Sequence, residues 1–162
     1  MNALQGITRD PGLFSKAVAI SPVFNWVSTK RYVTDTGRPS YMFDMLANYP
    51  QNLFRTLQTG PLGNVAGSPD FDSNVLRRQN IAWLSSPASQ LENYDEKYPL
   101  LMIQGDADEE VPFEETIAVV RALRSLGIDA NTLVFPDETH CINAYRNQLL
   151  MWKATADLLR SK

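Results

Sequence analysis

The sequence predicts an α/β fold of about three parallel strands with flanking helices, and three observations carry that expectation. Short apolar runs of strand length occur at Ala17–Ile20, Leu100–Ile103 and Thr132–Phe135. The stretch between the last two, Phe113 to Leu126, places apolar residues at 113, 117, 120, 123 and 126, which is helical spacing. Pro112 stands near the start of that stretch and Gly127 at its stop, so strand, helix and strand follow one another over the length of a right-handed βαβ unit.

Taken in order, Met1 to Arg9 reads as a helix already under way, because no capping residue precedes it and Asp10-Pro11-Gly12 breaks it. Ala17–Ile20 is the first strand, closed by Ser21-Pro22. From Asn25 to about Pro87 the pattern turns polar and aromatic with frequent Gly and Pro, and helical pieces are expected at Ser40–Ala47, Pro50–Thr59 and Asp70–Gln79. Ala88 to Lys97 reads as a polar, turn-like connection into the central strand. That strand, Leu100–Ile103, ends in the polar turn Gln104 to Glu110, where Gly105 is free to take a positive φ. The third strand is stopped by Pro136, and a last helix from Ala144 to Arg160 carries Tyr145, Leu149, Trp152, Ala156 and Leu159 as a stripe expected to be buried. Three strands make a thin sheet with an open edge, so self-association by strand pairing or exchange of the first helix is expected.

Composition narrows the function classes. The 162 residues are 44% hydrophobic and 20% charged, an ordinary globular composition of one-domain length. A net charge of −3 with scattered basic residues gives no electrostatic footprint for nucleic acid. One Cys and one His exclude a disulfide framework and a cysteine-based zinc site, and no cofactor or metal is expected. No apolar run approaches the ~20 residues of a membrane span, and the single cysteine leans the localisation towards a reducing, cytoplasmic compartment.

The chemistry gathers at two loops. Gln104 to Glu110 leaves carboxylates at the end of the second strand, and the loop after the third strand holds His140, the chain's one histidine. In an open parallel sheet the loops at the carboxyl ends of the strands line the ligand crevice, so an acid and an imidazole meet there. On spacing alone Asp106 and Asp108 both qualify as the acid. Cys141 beside His140 does not suggest a Cys/His pair, because neighbours in an extended loop point apart, and it is expected to be a small buried residue. Ser21 lacks the glycine-flanked turn that exposes a nucleophilic serine.

Asp10-Pro-Gly-Leu-Phe-Ser-Lys-Ala-Val-Ala-Ile-Ser-Pro-Val-Phe-Asn-Trp26, Ser86-Pro87, Pro99-Leu-Leu-Met-Ile-Gln-Gly-Asp-Ala-Asp-Glu-Glu-Val-Pro-Phe113 and Phe135-Pro-Asp-Glu-Thr-His140 together resemble the carboxyl-terminal part of a prolyl oligopeptidase family catalytic domain, of dipeptidyl-peptidase or acylaminoacyl-peptidase type. The acid-before-histidine order matches the Ser…Asp…His order of α/β-hydrolases. The resemblance implies a partial α/β-hydrolase, with residues 1–162 as the carboxyl-terminal portion of one peptidase domain. It implies Asp108 as the catalytic acid and His140 as the base, and Val23, Trp26 and Val111 as walls of the pocket for the residue before the scissile bond. The family's Gly-x-Ser-x-Gly-Gly elbow is absent here, so the nucleophile-bearing half is expected upstream of Met1 and the chain alone is expected to be inactive. Two positions depart from the family pattern: Gln104 stands where His is usual, and Cys141 where Gly follows the catalytic His. A carboxylesterase of the same fold and a non-catalytic hydrolase-like binding module are the alternatives to a peptidase acting on peptides.

Overall fold

The computed structural model describes residues 2–27 and 83–161, and the helical pieces expected at Ser40–Ala47, Pro50–Thr59 and Asp70–Gln79 lie outside them. Helix α1 (Asn2–Arg9) leads through Asp10–Ser15 to strand β1 (Ala17–Ile20). A 3-10 helix over Pro87–Asn93 precedes strand β2 (Leu100–Gly105), which is followed by helix α2 (Phe113–Ser125), strand β3 (Asn131–Phe135) and helix α3 (Tyr145–Arg160). The strands form one parallel sheet in the order β1-β2-β3.

β2 is buried along its whole length because it has a strand on either side and helices on both faces. Its alternating side chains feed two cores. Leu100 and Met102 join Ala17, Ala19, Leu4, Ile7, Leu91, Val119 and Leu123, so α1, the 3-10 helix and α2 cover one face. Leu101 and Ile103 join Phe135, Ile142 and Met151, so α3 covers the other. The sheet is therefore the middle layer of three. The register pairs Ile20 with Ile103 and Gly105 with Phe135, so β2 and β3 end level and release their loops side by side.

Several expectations are corrected in detail. The segment read as turn-like contains the 3-10 helix, with buried Pro87 and Leu91 giving its short turns an apolar anchor. α3 does not bury the stripe its apolar spacing suggested, and α2 buries its stripe only in part. α2 turns Glu115, Thr116, Val119 and Leu123 inward and leaves Leu126 exposed. α3 packs Met151, Ala154 and Leu158 against the sheet, while Tyr145 and Trp152 are 73% and 60% exposed. Gly127 does end α2 as expected, with φ +79° and the paired bonds Ile128 N to Leu123 O and Gly127 N to Arg124 O of a Schellman cap.

Candidate active site

The turn after β2 and the loop after β3 are sewn together before either reaches its functional residue. Asp106 N donates to Phe135 O at 3.1 Å and Ala107 N to Glu138 O at 3.0 Å. The Asp106 carboxylate accepts Asp137 N at 2.7 Å across 31 residues of sequence. Asp137 itself sits at φ +58°, which bends the chain sharply after Pro136. Gly105 is required at this seam, but not for a positive φ, which it does not adopt. A Cβ on it would lie 2.0 Å from Glu138 O and 2.8 Å from Thr139 O, so only a hydrogen lets the two backbones approach.

Beyond the seam, His140 Nδ1 lies 3.0 Å from Asp108 Oδ2 and 3.2 Å from Oδ1. The Asp108 side chain is fully buried, and the His140 ring is about a third exposed at 32%. Asp108 Oδ1 also accepts Glu110 N and Val111 N, each at 2.9 Å, and Oδ2 accepts Gln104 Nε2 at 3.2 Å. Gln104 is fixed in turn, donating to Val111 O at 2.7 Å and accepting Thr116 Oγ1–H from α2. Burial pushes the Asp108 carboxyl up, yet the His140 ring N–H, the two backbone N–H groups and the imidazole charge outweigh it and hold the group below its usual range. The hydrogen bond to Asp108 raises the His140 imidazole above its ordinary value; partial burial opposes this, while the charges of Asp108 and Glu110 reinforce it. With Nδ1–H turned to the carboxylate, Nε2 carries the lone pair.

Of the two candidate acids, the structure brings Asp108 to His140 and uses the exposed Asp106 to stitch the turns. Val23, Trp26 and Val111 are each buried, at most 4% exposed. Cys141 is exposed, against the expectation of burial, because its loop runs along the rim. Ser21 adopts φ +44° and donates from Oγ to the His140 carbonyl at 3.3 Å, which ties the histidine loop to the end of β1. Among the described residues no group of three or more His, Cys, Asp or Glu side chains is arranged to hold a metal ion. No helix there is long and apolar enough to cross a membrane.

Sequence reasoning assigned no role to three polar residues that build this site. Gln104 supports Asp108 from inside a fully buried strand. Glu115 reaches from α2 to accept Phe24 N at 2.9 Å and Asn25 N at 2.7 Å, anchoring the loop that carries Val23 and Trp26. Glu138 accepts Asn143 N, Ala144 N and Asn147 Nδ2 at 2.7, 3.0 and 2.7 Å. The available signal was a polar residue at the end of an apolar strand in the first case, and in the others a glutamate in a first helical turn or two residues before the histidine.

A parallel three-layer sheet that sends a carboxylate and an imidazole to one place from the loops of adjacent strands defines part of an α/β-hydrolase. Sequence comparison narrows this further: the prolyl oligopeptidase family matches residues 65–159, more than half of the chain. This chain belongs to the prolyl oligopeptidase family. It is 31% identical over 85 residues to dipeptidyl-peptidase 5 of Porphyromonas gingivalis, covering 52% of this chain and 12% of that protein. It is 45% identical over 47 residues to acylamino-acid-releasing enzyme 2 of Oryza sativa subsp. japonica, covering 29% of this chain and 6% of that one. The fold is similar to that of an acylaminoacyl peptidase solved in complex with Z-Gly-Gly-Phe-chloromethyl ketone, at TM-score 0.63 and 15% identity, over 98% of this chain and 21% of the other. The chain thus spans only a small part of the length of these three proteins.

Proposed function

We propose that residues 1–162 form the carboxyl-terminal portion of one α/β-hydrolase peptidase domain and supply two members of its catalytic triad. Asp108 orients and His140 acts as general base and acid. The nucleophilic serine comes from outside these residues, since no Gly-x-Ser-x-Gly occurs within them. The observation that carries this reading is the 3.0 Å contact between His140 Nδ1 and the buried Asp108 carboxylate. In such a site Nε2 takes the serine Oγ proton as Oγ bonds to the substrate carbonyl carbon, and the imidazolium then gives that proton to the leaving amine. Asp108 holds the tautomer and stabilises the imidazolium without itself taking the proton. Water repeats the sequence on the acyl-enzyme and frees the acid product.

The substrate is a peptide, cleaved in the manner of dipeptidyl- or acylaminoacyl-peptidases. Val23, Trp26 and Val111 form the apolar side of the pocket for the residue before the scissile bond, which suits proline or another small apolar side chain. Family membership and the peptidase relatives favour an amide over an ester substrate. The 162-residue chain alone should give no adduct with a fluorophosphonate serine probe. The longer polypeptide that includes an elbow serine should be labelled, and His140→Ala should abolish that labelling. Strong labelling of the short chain would overturn the assignment.

Self-association of the chain is the companion proposal. Ile20 on the edge strand β1 and Tyr145, Leu149, Trp152 and Leu159 on α3 are exposed apolar side chains. Light scattering should show mass rising with concentration, and a monomer at all concentrations would refute it.

A further inference from the structure

The loop that carries His140 is held at both ends by one residue. At its start, the Glu138 carbonyl accepts Ala107 N at 3.0 Å and occupies the space that a side chain on Gly105 would need. At its end, the buried Glu138 carboxylate turns forward onto Asn143 N, Ala144 N and Asn147 Nδ2. The two backbone donors lie just before and at the N-cap of α3, Ala144, and the Asn147 amide comes from its first turn, so the carboxylate fastens the entry of that helix. His140 lies between the two attachments, and its own carbonyl takes the Ser21 hydroxyl as a third.

The contact to the acid's turn is made by the backbone, and the carboxylate adds the second attachment, so the two ends of the loop are joined through one residue. The carboxylates whose charge bears on the His140 ring are Asp108 and Glu110, whereas Glu138 spends its own on the helix. Its influence on the ring is therefore one of position. We propose that Glu138 is a positioning residue for His140, tying the Asp108 turn to the first turn of α3 so that the ring between them stays within hydrogen-bonding distance of Asp108. The proposal deepens the acid–base reading above and rests on it. The donors from Asn143, Asn147 and Ala144 also keep the Glu138 carboxyl below its usual range despite its burial, so it remains an ionised acceptor wherever the imidazole titrates.

The chain has one histidine, so the ring resonances in a nitrogen-15 spectrum report His140 without ambiguity. The wild-type ring should titrate above the free value of about 6.5. Asp108→Asn should bring it back towards that value, and Glu138→Ala should do the same while far-UV circular dichroism shows α3 retained. Glu138→Gln keeps one acceptor oxygen and the volume, and its titration should fall between wild type and Glu138→Ala. Leu123→Ala opens a cavity on the opposite face of the sheet and should leave the ring unmoved. An unchanged His140 titration in both Glu138 variants would overturn the positioning role, as would an equal shift in the Leu123 control. If Asp108→Asn itself leaves the ring unmoved, the acid–base pair fails, a different result from the failure of Glu138 alone.

Discussion

Replacing Gly105 by alanine tests the seam on which the site depends. The added Cβ would lie 2.0 Å from Glu138 O, 2.5 Å from Glu138 C and 2.8 Å from Thr139 O. All three are backbone atoms, so no side-chain rotation relieves the clash. A carbon rests no closer than about 3.3 Å from a carbonyl oxygen, so from 2.0 Å the two chains must separate by about 1.3 Å. That motion lengthens the Ala107 N to Glu138 O bond from 3.0 Å past the hydrogen-bonding limit. Carried on to residue 140, it takes Nδ1 out of reach of Asp108 Oδ2, now 3.0 Å away. Overpacking costs about 1–3 kcal/mol and the lost backbone bond about 1 kcal/mol more, so Gly105→Ala should destabilise by about 2–4 kcal/mol. Urea unfolding followed by circular dichroism gives the energy, and the His140 titration, falling back towards about 6.5, gives the geometry. A variant within about 0.5 kcal/mol of wild type and with an unmoved histidine would refute the close-approach argument.

The Asp108–His140 pair also sets a pH window. His140 titrates higher folded than unfolded, so its contribution to stability is complete below about pH 6.5 and is lost as pH rises through the folded-state value. Asp108 titrates lower when folded, so its contribution is complete above about pH 3.9 and is lost as pH falls through its folded-state value. The stability difference between wild type and Asp108→Asn should therefore peak between about pH 4 and 6.5, at about 1–3 kcal/mol, and a difference flat with pH would exclude the pair. Glu115→Leu removes the carboxylate that accepts the Phe24 and Asn25 N–H groups, and should cost about 2–5 kcal/mol in urea unfolding. Glu115→Gln, which keeps an acceptor oxygen, should cost less; equal stability of the leucine variant and wild type would show that the anchor carries no weight.

The strands were legible because each is a short apolar run bounded by Gly, Pro or Ser, and β2, buried on both faces, has the continuous apolar character that such a position demands. The βαβ order and the Gly127 stop followed from local rules of the same kind. The inward faces of the helices did not. Periodicity finds a stripe, but which stripe meets the sheet depends on what the sheet and the loops offer. α2 admits Glu115 and Thr116 to its inner face because the Phe24–Asn25 backbone and Gln104 give them partners there. α3 presents Met151, Ala154 and Leu158 to Leu101, Ile103 and Phe135, and Ala154 lets the helix come close where Trp152 would hold it off. These are relations between segments far apart in sequence, and no local window contains them.

The choice between Asp106 and Asp108 shows how the same limit is overcome in space. Both acids lie in one turn, two residues apart, and spacing treats them alike. β2 and β3 end level at Gly105 and Phe135, so the first residues past the strands are the ones that face each other across the seam. Asp106 is spent there, its N–H on Phe135 and its carboxylate on Asp137. A carboxylate committed to backbone at the seam cannot also reach a ring five residues past the end of β3. Asp108, two residues further on, is clear of the stitching, and the backbone N–H groups of Glu110 and Val111 curl around it and fix it. The division of labour follows from the level strand ends: the residues nearest the sheet, Gly105, Asp106 and Glu138, hold two loops together, and the residues beyond them are free for chemistry. Shifting the β2–β3 register by one residue would move Asp106 off Asp137 and part Asp108 from His140, which makes the alignment of the two strands, more than either loop, the element that places the carboxylate beside the imidazole.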